Sequence, residues 1–171
     1  MTQQPDHRIA VIGLGYVGLP LALDLVDAGF DVHAVDTSDD RIASLAAGTS
    51  YIDDVADNRL ASAIGSGRFE ATNLDQDWTE ASLAFICVPT PVTRSREPDL
   101  GPVLAAGAYV RRGLRRDDVV ILQSTTYPGT TMGPLRRVLE QDGLGAGDDF
   151  GLAFSPERMA EASRSSARSS M

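Results

Sequence analysis

Apolar residues along the chain fall into short continuous runs that alternate with longer stretches of helical spacing. The short runs have the length and flanking turn residues of strands, and the longer stretches have the periodicity of amphipathic helices. Gly29 and Gly48 stop two of the helices, and Ser38 is a candidate N-cap. The predicted strands are Arg8–Ile12, Asp31–Val35, Arg68–Thr72, Leu83–Val88, Val119–Gln123 and Phe150–Phe154, and the predicted helices are Tyr16–Ala28, Ser38–Ala47, Asp54–Ile64, Leu100–Gly113 and Thr130–Gln141.

This alternation predicts an α/β fold with a doubly wound parallel sheet of the Rossmann type. We assign residues 1–158 to this domain. The remaining stretch, 159–171, is rich in Ser and Arg and lacks apolar periodicity, so we expect a disordered tail.

Composition narrows the possible partners. The 171 residues are 43% hydrophobic, enough for one core, and carry a net charge of −9 from 24 acidic and 15 basic side chains. An acidic chain without basic stretches disfavours nucleic acid and anionic membranes as partners. The sequence shows no signal-peptide pattern or long apolar span, and Cys87 is its sole cysteine. We therefore expect a cytoplasmic protein without an intrachain disulfide.

A glycine-rich fingerprint lies between the first predicted strand and the first predicted helix. Gly13-Leu-Gly15-Tyr-Val-Gly18 matches the G-x-G-x-x-G pattern of dinucleotide-binding proteins. Gly13 permits a tight turn, Gly15 lets the backbone approach a pyrophosphate, and Gly18 allows the helix to pack closely on the strand. The phosphates then lie at the positive end of the helix. We expect Gly13, Gly15, Tyr16, Val17 and Gly18 to form the cofactor loop.

Asp36 ends the second predicted strand, where a carboxylate accepts hydrogen bonds from ribose hydroxyls and repels a 2′-phosphate. This position favours NAD over NADP. Arg41 follows nearby as a candidate contact on the adenine side. The alternative interpretation is a Gly-rich turn with a solvated Asp36 and an exposed helical Arg41.

Two further motifs begin where predicted strands end, at the sheet edge where ligands of open α/β sheets bind. They are Cys87-Val-Pro-Thr-Pro91 and Ser124-Thr-Thr-Tyr-Pro-Gly-Thr-Thr131. Pro89 and Pro91 restrict the backbone around Thr90, and the Thr125 hydroxyl is able to donate or accept at the nicotinamide end. The alternative role for both threonines is local capping of backbone groups.

Together with Phe154-Ser-Pro-Glu-Arg158, these motifs resemble the UDP-glucose/GDP-mannose dehydrogenase family from about Arg8 to Arg158. The resemblance implies NAD as cofactor, contacts from Thr90 and Thr125, a water oriented by Thr125, and proton or water handling by Glu157. A solvated loop carboxylate is the alternative for Glu157. The Tyr127-Pro-Gly form of the third motif is similar to the branch that oxidises UDP-N-acetylated hexosamines.

Members of this family oxidise the sugar C6 alcohol to a carboxylate, reduce two NAD and pass through a cysteine thioester. The family's nucleophilic Cys and its supporting Lys and Asn follow the region matched here. We therefore expect a truncated or frameshifted chain that binds NAD without turnover, with Cys87 as a buried structural residue. A nucleotide sugar is the expected partner once the missing domains are supplied, and the oligomeric state stays open because the dimerising segment is absent.

Three hypotheses stay open from the sequence. The chain is half of an enzyme completed by a separate polypeptide, a non-catalytic NAD-binding module or remnant, or another Rossmann enzyme of the hydroxyacid dehydrogenase group. The third offers no reason for the CVPTP and STTYPGTT motifs. His7 and His33 have no partner pattern for a metal site, and we expect His33 on a strand surface.

Overall fold

The computed structural model describes residues 8–75, 78, 81–92 and 98–156. Within these ranges it contains six strands and five α-helices. The strands are β1 Arg8–Ile12, β2 Asp31–Val35, β3 Phe69–Thr72, β4 Ala81–Ile86, β5 Val119–Leu122 and β6 Gly151–Phe154, and the helices are α1 Gly18–Asp27, α2 Asp39–Ala46, α3 Asp57–Gly65, α4 Gly101–Arg111 and α5 Arg136–Leu139.

All neighbouring strands pair in parallel, in the order β3-β2-β1-β4-β5-β6. The chain therefore winds outward from β1 in one direction and then returns to add β4 on the other side of β1. The predicted doubly wound parallel sheet is confirmed. The boundary between β1 and β4 is its topological switch point, next to which ligands bind in such sheets.

Two apolar layers cover the faces of the sheet, because successive strand residues point to opposite sides. Ala10 and Ile12 of β1 join the cluster beneath α4, whereas Val11 joins the cluster beneath α1 and α3. Trp78 is fully buried in the first cluster, and its indole N–H donates to the carbonyl of Val110 in α4. The two layers fix the carboxyl ends of the strands in place.

The predicted ends of the helices largely agree with the structure. The Ser38 side chain accepts a hydrogen bond from the Arg41 amide and caps α2. Gly29 and Gly48 follow α1 and α2 with φ of 95° and 73°, in the left-handed region that favours glycine. Helix α1 begins at Gly18 rather than Tyr16, because Tyr16 and Val17 still belong to the glycine-rich loop.

The predicted helix Thr130–Gln141 is not regular. It consists of a π-helical turn from Thr131 to Leu135, α5, and a 3-10 turn from Glu140 to Asp142. Pro134 has no N–H to donate to the Thr130 carbonyl, and the amide of Leu135 bonds to that carbonyl instead at 3.1 Å. This spacing of five residues produces the π turn.

His33 does not lie on a strand surface as expected. It is 4% exposed between β2 and β3, with Nε2 at 2.7 Å from the hydroxyl oxygen of Thr72. No helix in the described ranges has both the length and the apolar character needed to cross a bilayer.

Candidate cofactor-binding site

A cleft lies at the carboxyl edge of the sheet, where the loops after β1, β4 and β5 meet. Its main part has a volume of about 660 Å³, and a second part of about 240 Å³ extends toward the end of β2. Gly15 and Arg41 line both parts. The two volumes therefore form one elongated cleft across the switch point, the shape that a dinucleotide requires.

Backbone contacts require glycine at two positions of the fingerprint. Gly13 has a φ of 94°, and a Cβ on it would lie 2.9 Å from the carbonyl carbon and oxygen of Cys87. A Cβ on Gly18 would lie 1.8 Å from the carbonyl oxygen of Gly13. The loop thus packs against the end of β4 and against itself, and no side chain fits at either position.

Gly15 differs from both, because the space around it is open. A Cβ added there meets no atom within 4 Å, and Gly15 lines the cleft. The first turn of α1 follows, and its N-cap residue, Val17, makes no side-chain capping hydrogen bond. The positive end of α1 is therefore available for an anion.

The Asp36 carboxylate is held by backbone amides at the end of β2. Its Oδ2 accepts from the Leu14 amide at 2.8 Å, and its Oδ1 accepts from the Ser38 amide at 2.9 Å. Asp36 is 5% exposed and lines the smaller part of the cleft. A solvated surface Asp is therefore excluded, and the carboxylate presents a fixed negative charge to the cleft.

Arg41 reaches from α2 to the same carboxylate. Its guanidinium lies 3.1 Å from Asp36 Oδ2 and 5.4 Å from the centre of the Tyr51 ring. The Tyr51 hydroxyl donates to the carbonyl of Leu14 at 2.7 Å. Sequence reasoning assigned no role to Tyr51, since its contact with the fingerprint spans 37 positions of the chain and follows no local pattern.

The loops after β4 and β5 are tied together by two hydroxyl groups. Ser124 is 4% exposed and donates to the Val88 carbonyl at 2.7 Å, and the Thr90 hydroxyl donates to the Thr125 carbonyl. Thr90 and Thr125 both line the main part of the cleft, and their contact with NAD stays a prediction. The bond of the Thr90 hydroxyl to a backbone carbonyl is of the kind expected in the alternative role for this residue. Ser124 lies within the third motif, but its linking role was not predicted.

The structure brings most of the predicted site residues to this cleft. Tyr16 and Val17 line its main part together with Gly15, Arg41, Thr90 and Thr125. Cys87 is 7% exposed and packs in the cluster beneath α1, which confirms the prediction that it is buried. Glu157 and the 159–171 segment lie outside the described residues. Within the described ranges, no group of three or more His, Cys, Asp or Glu side chains is arranged for a metal ion.

The geometry fits a dinucleotide for three reasons. The fingerprint glycines leave no side chain in the way of the diphosphate, the N-terminus of α1 is open, and the Asp36 carboxylate lies at the end of β2. The NAD binding domain of the UDP-glucose/GDP-mannose dehydrogenase family matches residues 7–167. The chain belongs to this family. NAD is accordingly the cofactor of the domain, as the fingerprint and Asp36 predicted.

Comparison with individual relatives supports this family assignment. UDP-N-acetyl-D-glucosamine 6-dehydrogenase of Pseudomonas aeruginosa is 36% identical over 159 residues, which cover 90% of this chain and 36% of that protein. The structure of the UDP-D-ManNAc dehydrogenase from Pyrococcus horikoshii superposes with a TM-score of 0.81 at 35% identity, over 90% of this chain and 37% of that one. GDP-mannose dehydrogenase from Pseudomonas aeruginosa gives a TM-score of 0.79 at 31% identity, over 90% and 36%. The chain thus spans about 36% of the length of these relatives.

Proposed function

We propose that the cleft binds NAD across the switch point, with the adenosine half beside Asp36 and the nicotinamide half beside Thr90 and Thr125. The observation that carries this assignment is the fixed Asp36 carboxylate at one end of a continuous cleft. Asp36 Oδ1 accepts one hydrogen bond from the chain and keeps a lone pair for a ribose hydroxyl. Arg41 lies next to the same end.

The diphosphate occupies the middle of the cleft in this proposal. Gly15 lets the backbone approach closely, and the amides of Tyr16, Val17 and Gly18 at the positive end of α1 are donors. Tyr16 and Val17 border this part of the cleft. The diphosphate needs no basic side chain here, since backbone amides provide the donors.

In the enzyme to which such a domain belongs, we propose oxidation of the C6 alcohol of a nucleotide sugar, with a UDP-N-acetylhexosamine as the substrate. The names of the relatives at 35–36% identity, which act on UDP-N-acetylglucosamine and UDP-N-acetylmannosamine, support this substrate class. NAD, when bound, would accept the hydride. By resemblance to the family, Thr125 orients a water at the nicotinamide end, and Glu157 assists in proton or water handling.

Titration calorimetry of the 171-residue chain with NAD and NADP tests the cofactor assignment. We expect saturable binding of NAD and weaker binding of NADP, because the buried Asp36 charge repels a 2′-phosphate. Asp36→Asn keeps the shape of the side chain and removes its charge, so we expect a smaller difference in affinity between NAD and NADP. Equal affinities in the wild-type chain, or an unchanged preference in Asp36→Asn, contradict the proposed role of Asp36.

Absorbance of NADH after addition of UDP-N-acetylglucosamine tests the chain for turnover. We expect none from the 171 residues alone, because the sole cysteine, Cys87, borders the cleft with only 7% of its surface exposed and packs in the cluster beneath α1. The family's nucleophilic cysteine is a different residue that follows the matched region. Continuous NADH formation by the isolated chain, lost in Gly15→Ala, contradicts the expectation that these 171 residues bind NAD without turnover.

A further inference from the structure

Tyr51 lies between α2 and α3, at a distance in sequence from every motif of the cleft. Its side chain is partly buried, and its hydroxyl donates to the carbonyl oxygen of Leu14 at 2.7 Å. Leu14 stands between the first two glycines of the fingerprint. Tyr51 thus touches the loop that faces the diphosphate without lining the described cleft itself.

Leu14 is fixed on both sides of its backbone. Its amide donates to Asp36 Oδ2 at 2.8 Å, its carbonyl accepts from Tyr51, and its side chain is fully buried. The carbonyl of Leu14 and the amide of Gly15 belong to one planar trans peptide and point in opposite directions. Holding that carbonyl toward Tyr51 therefore directs the Gly15 N–H away from Tyr51. Gly15 lines both parts of the cleft.

The Tyr51 ring also supports Arg41, whose guanidinium lies 5.4 Å from the ring centre and 3.1 Å from Asp36 Oδ2. Burial raises the pKa of Tyr51 to about 12, with a further increase from the Asp36 charge and an opposing effect of Arg41. The hydroxyl consequently keeps its proton over the physiological range and acts as a donor to Leu14.

We propose that Tyr51 is a positioning residue for the cofactor, whose hydroxyl holds the Leu14–Gly15 peptide in the orientation that presents the Gly15 amide to the diphosphate. The inference rests on the proposed function of the cleft. Without the hydroxyl the loop samples other orientations, and the affinity falls by the fraction of molecules that hold the competent one. The loss concerns ligands with a diphosphate and spares a bare nucleoside.

The test compares the wild-type chain with Tyr51→Phe, which removes the hydroxyl and keeps the ring under Arg41. Tyr127→Phe is the matched control, because it makes the same chemical change at a tyrosine that is 44% exposed and does not line the described cleft. Calorimetry gives the Kd of NAD, ADP and adenosine for each protein. The nitrogen-15 order parameter of the Gly15 amide is measured without ligand, and chemical unfolding gives the stability.

For Tyr51→Phe we expect the Kd of NAD and of ADP to rise about five-fold, the effect of one hydrogen bond. The Kd of adenosine stays unchanged, and the order parameter of Gly15 falls. Tyr127→Phe behaves like the wild type. An unchanged Kd for NAD, or an equal loss for adenosine and ADP, overturns the positioning role while leaving NAD binding intact. A wild-type chain that fails to bind NAD overturns the proposed function and this inference with it.

Discussion

Gly15 and Gly18 belong to the same fingerprint, yet the space around them predicts opposite effects of a methyl group. In Gly18→Ala the Cβ meets the Gly13 carbonyl at 1.8 Å, and backbone must move to admit it. We expect the free energy of unfolding to fall by about 3 kcal/mol, at the upper end for overpacking. In Gly15→Ala the Cβ enters open space, so stability stays near that of the wild type while NAD binding weakens at least ten-fold.

Chemical unfolding measures the stability of the two variants, and calorimetry measures their affinity for NAD. Because each variant adds one methyl group to a glycine of the same fingerprint, each is the control for the other. A Gly15→Ala chain that loses stability, or one that binds NAD like the wild type, contradicts the role assigned to this glycine.

Tyr51 also predicts how stability changes at high pH. The pKa of its phenol is raised to about 12 by burial, above the value of about 10 in an unfolded chain. Folding therefore favours the protonated phenol, and its contribution is complete below pH 10 and is lost as the pH rises toward 12. The chain contains no lysine, so few groups other than its four tyrosines titrate in this window.

We expect the free energy of unfolding of Tyr51→Phe to fall less steeply than that of the wild type between pH 10 and 12. Tyrosinate absorbance of the folded protein checks the assignment, since a titration step near pH 12 should be lost in the variant. Tyr127→Phe should keep that step. If the absorbance change near pH 12 is as large in Tyr51→Phe as in the wild type, the raised pKa belongs to another tyrosine.

The residues around the cleft show which features the sequence predicts at this scale and which it does not. Local patterns of fixed spacing predict the glycine fingerprint and Asp36 from the sequence alone. Tyr51 and Ser124 act through side-chain contacts with distant carbonyls, at separations of 37 and 36 positions. Such contacts depend on which loops the sheet brings together, which no local spacing encodes.

At the scale of elements, every predicted strand and helix is present, and the errors concern their ends and regularity. The fourth strand was predicted as Leu83–Val88 and is Ala81–Ile86, because Cys87 and Val88 already belong to the loop that packs against Gly13. The helix with Pro134 was predicted as continuous. Its apolar periodicity survives the π turn, so the periodicity alone did not reveal the missing hydrogen bond.

Helices α1 and α3 are joined at the surface by Arg59. Its guanidinium contacts Asp24 and Asp27, each at 2.6 Å, so a single cation joins two carboxylates of α1 to α3. The carboxylates raise the pKa of Arg59, which stays charged. Exposed pairs contribute little individually, and we expect Arg59→Ala to lower the free energy of unfolding by about 1 kcal/mol.

Unfolding at low and high salt checks this network. The difference in the free energy of unfolding between the wild type and Arg59→Ala should shrink at high salt, because salt screens the charges. Arg137→Ala is the control, because Arg137 is also an exposed helical arginine and has no ion pair among the described residues. An effect of Arg59→Ala that is independent of salt, or equal to that of Arg137→Ala, contradicts an electrostatic link between the helices.

At the scale of the whole molecule, the cleft depends on the four central strands of the sheet. Its walls come from the ends of β1, β2, β4 and β5, and the sheet separates the two apolar layers. Unfolding of either layer therefore removes part of the cleft. A ligand that binds only the intact cleft stabilises the whole domain by mass action.

NAD at about one hundred times its Kd should raise the free energy of unfolding by about 2.7 kcal/mol and Tm by about 5 to 10 °C. Trp78 reports this transition, because it is the sole tryptophan, is fully buried and is bonded to α4 on the far side of the sheet from α1. Its fluorescence should follow one transition that shifts with NAD in the wild type and shifts by about half as much or less in Gly15→Ala at the same NAD concentration. If calorimetry detects binding while the Trp78 transition does not move, NAD does not distinguish the folded sheet from the unfolded chain, and the cleft is not the element that couples the two layers.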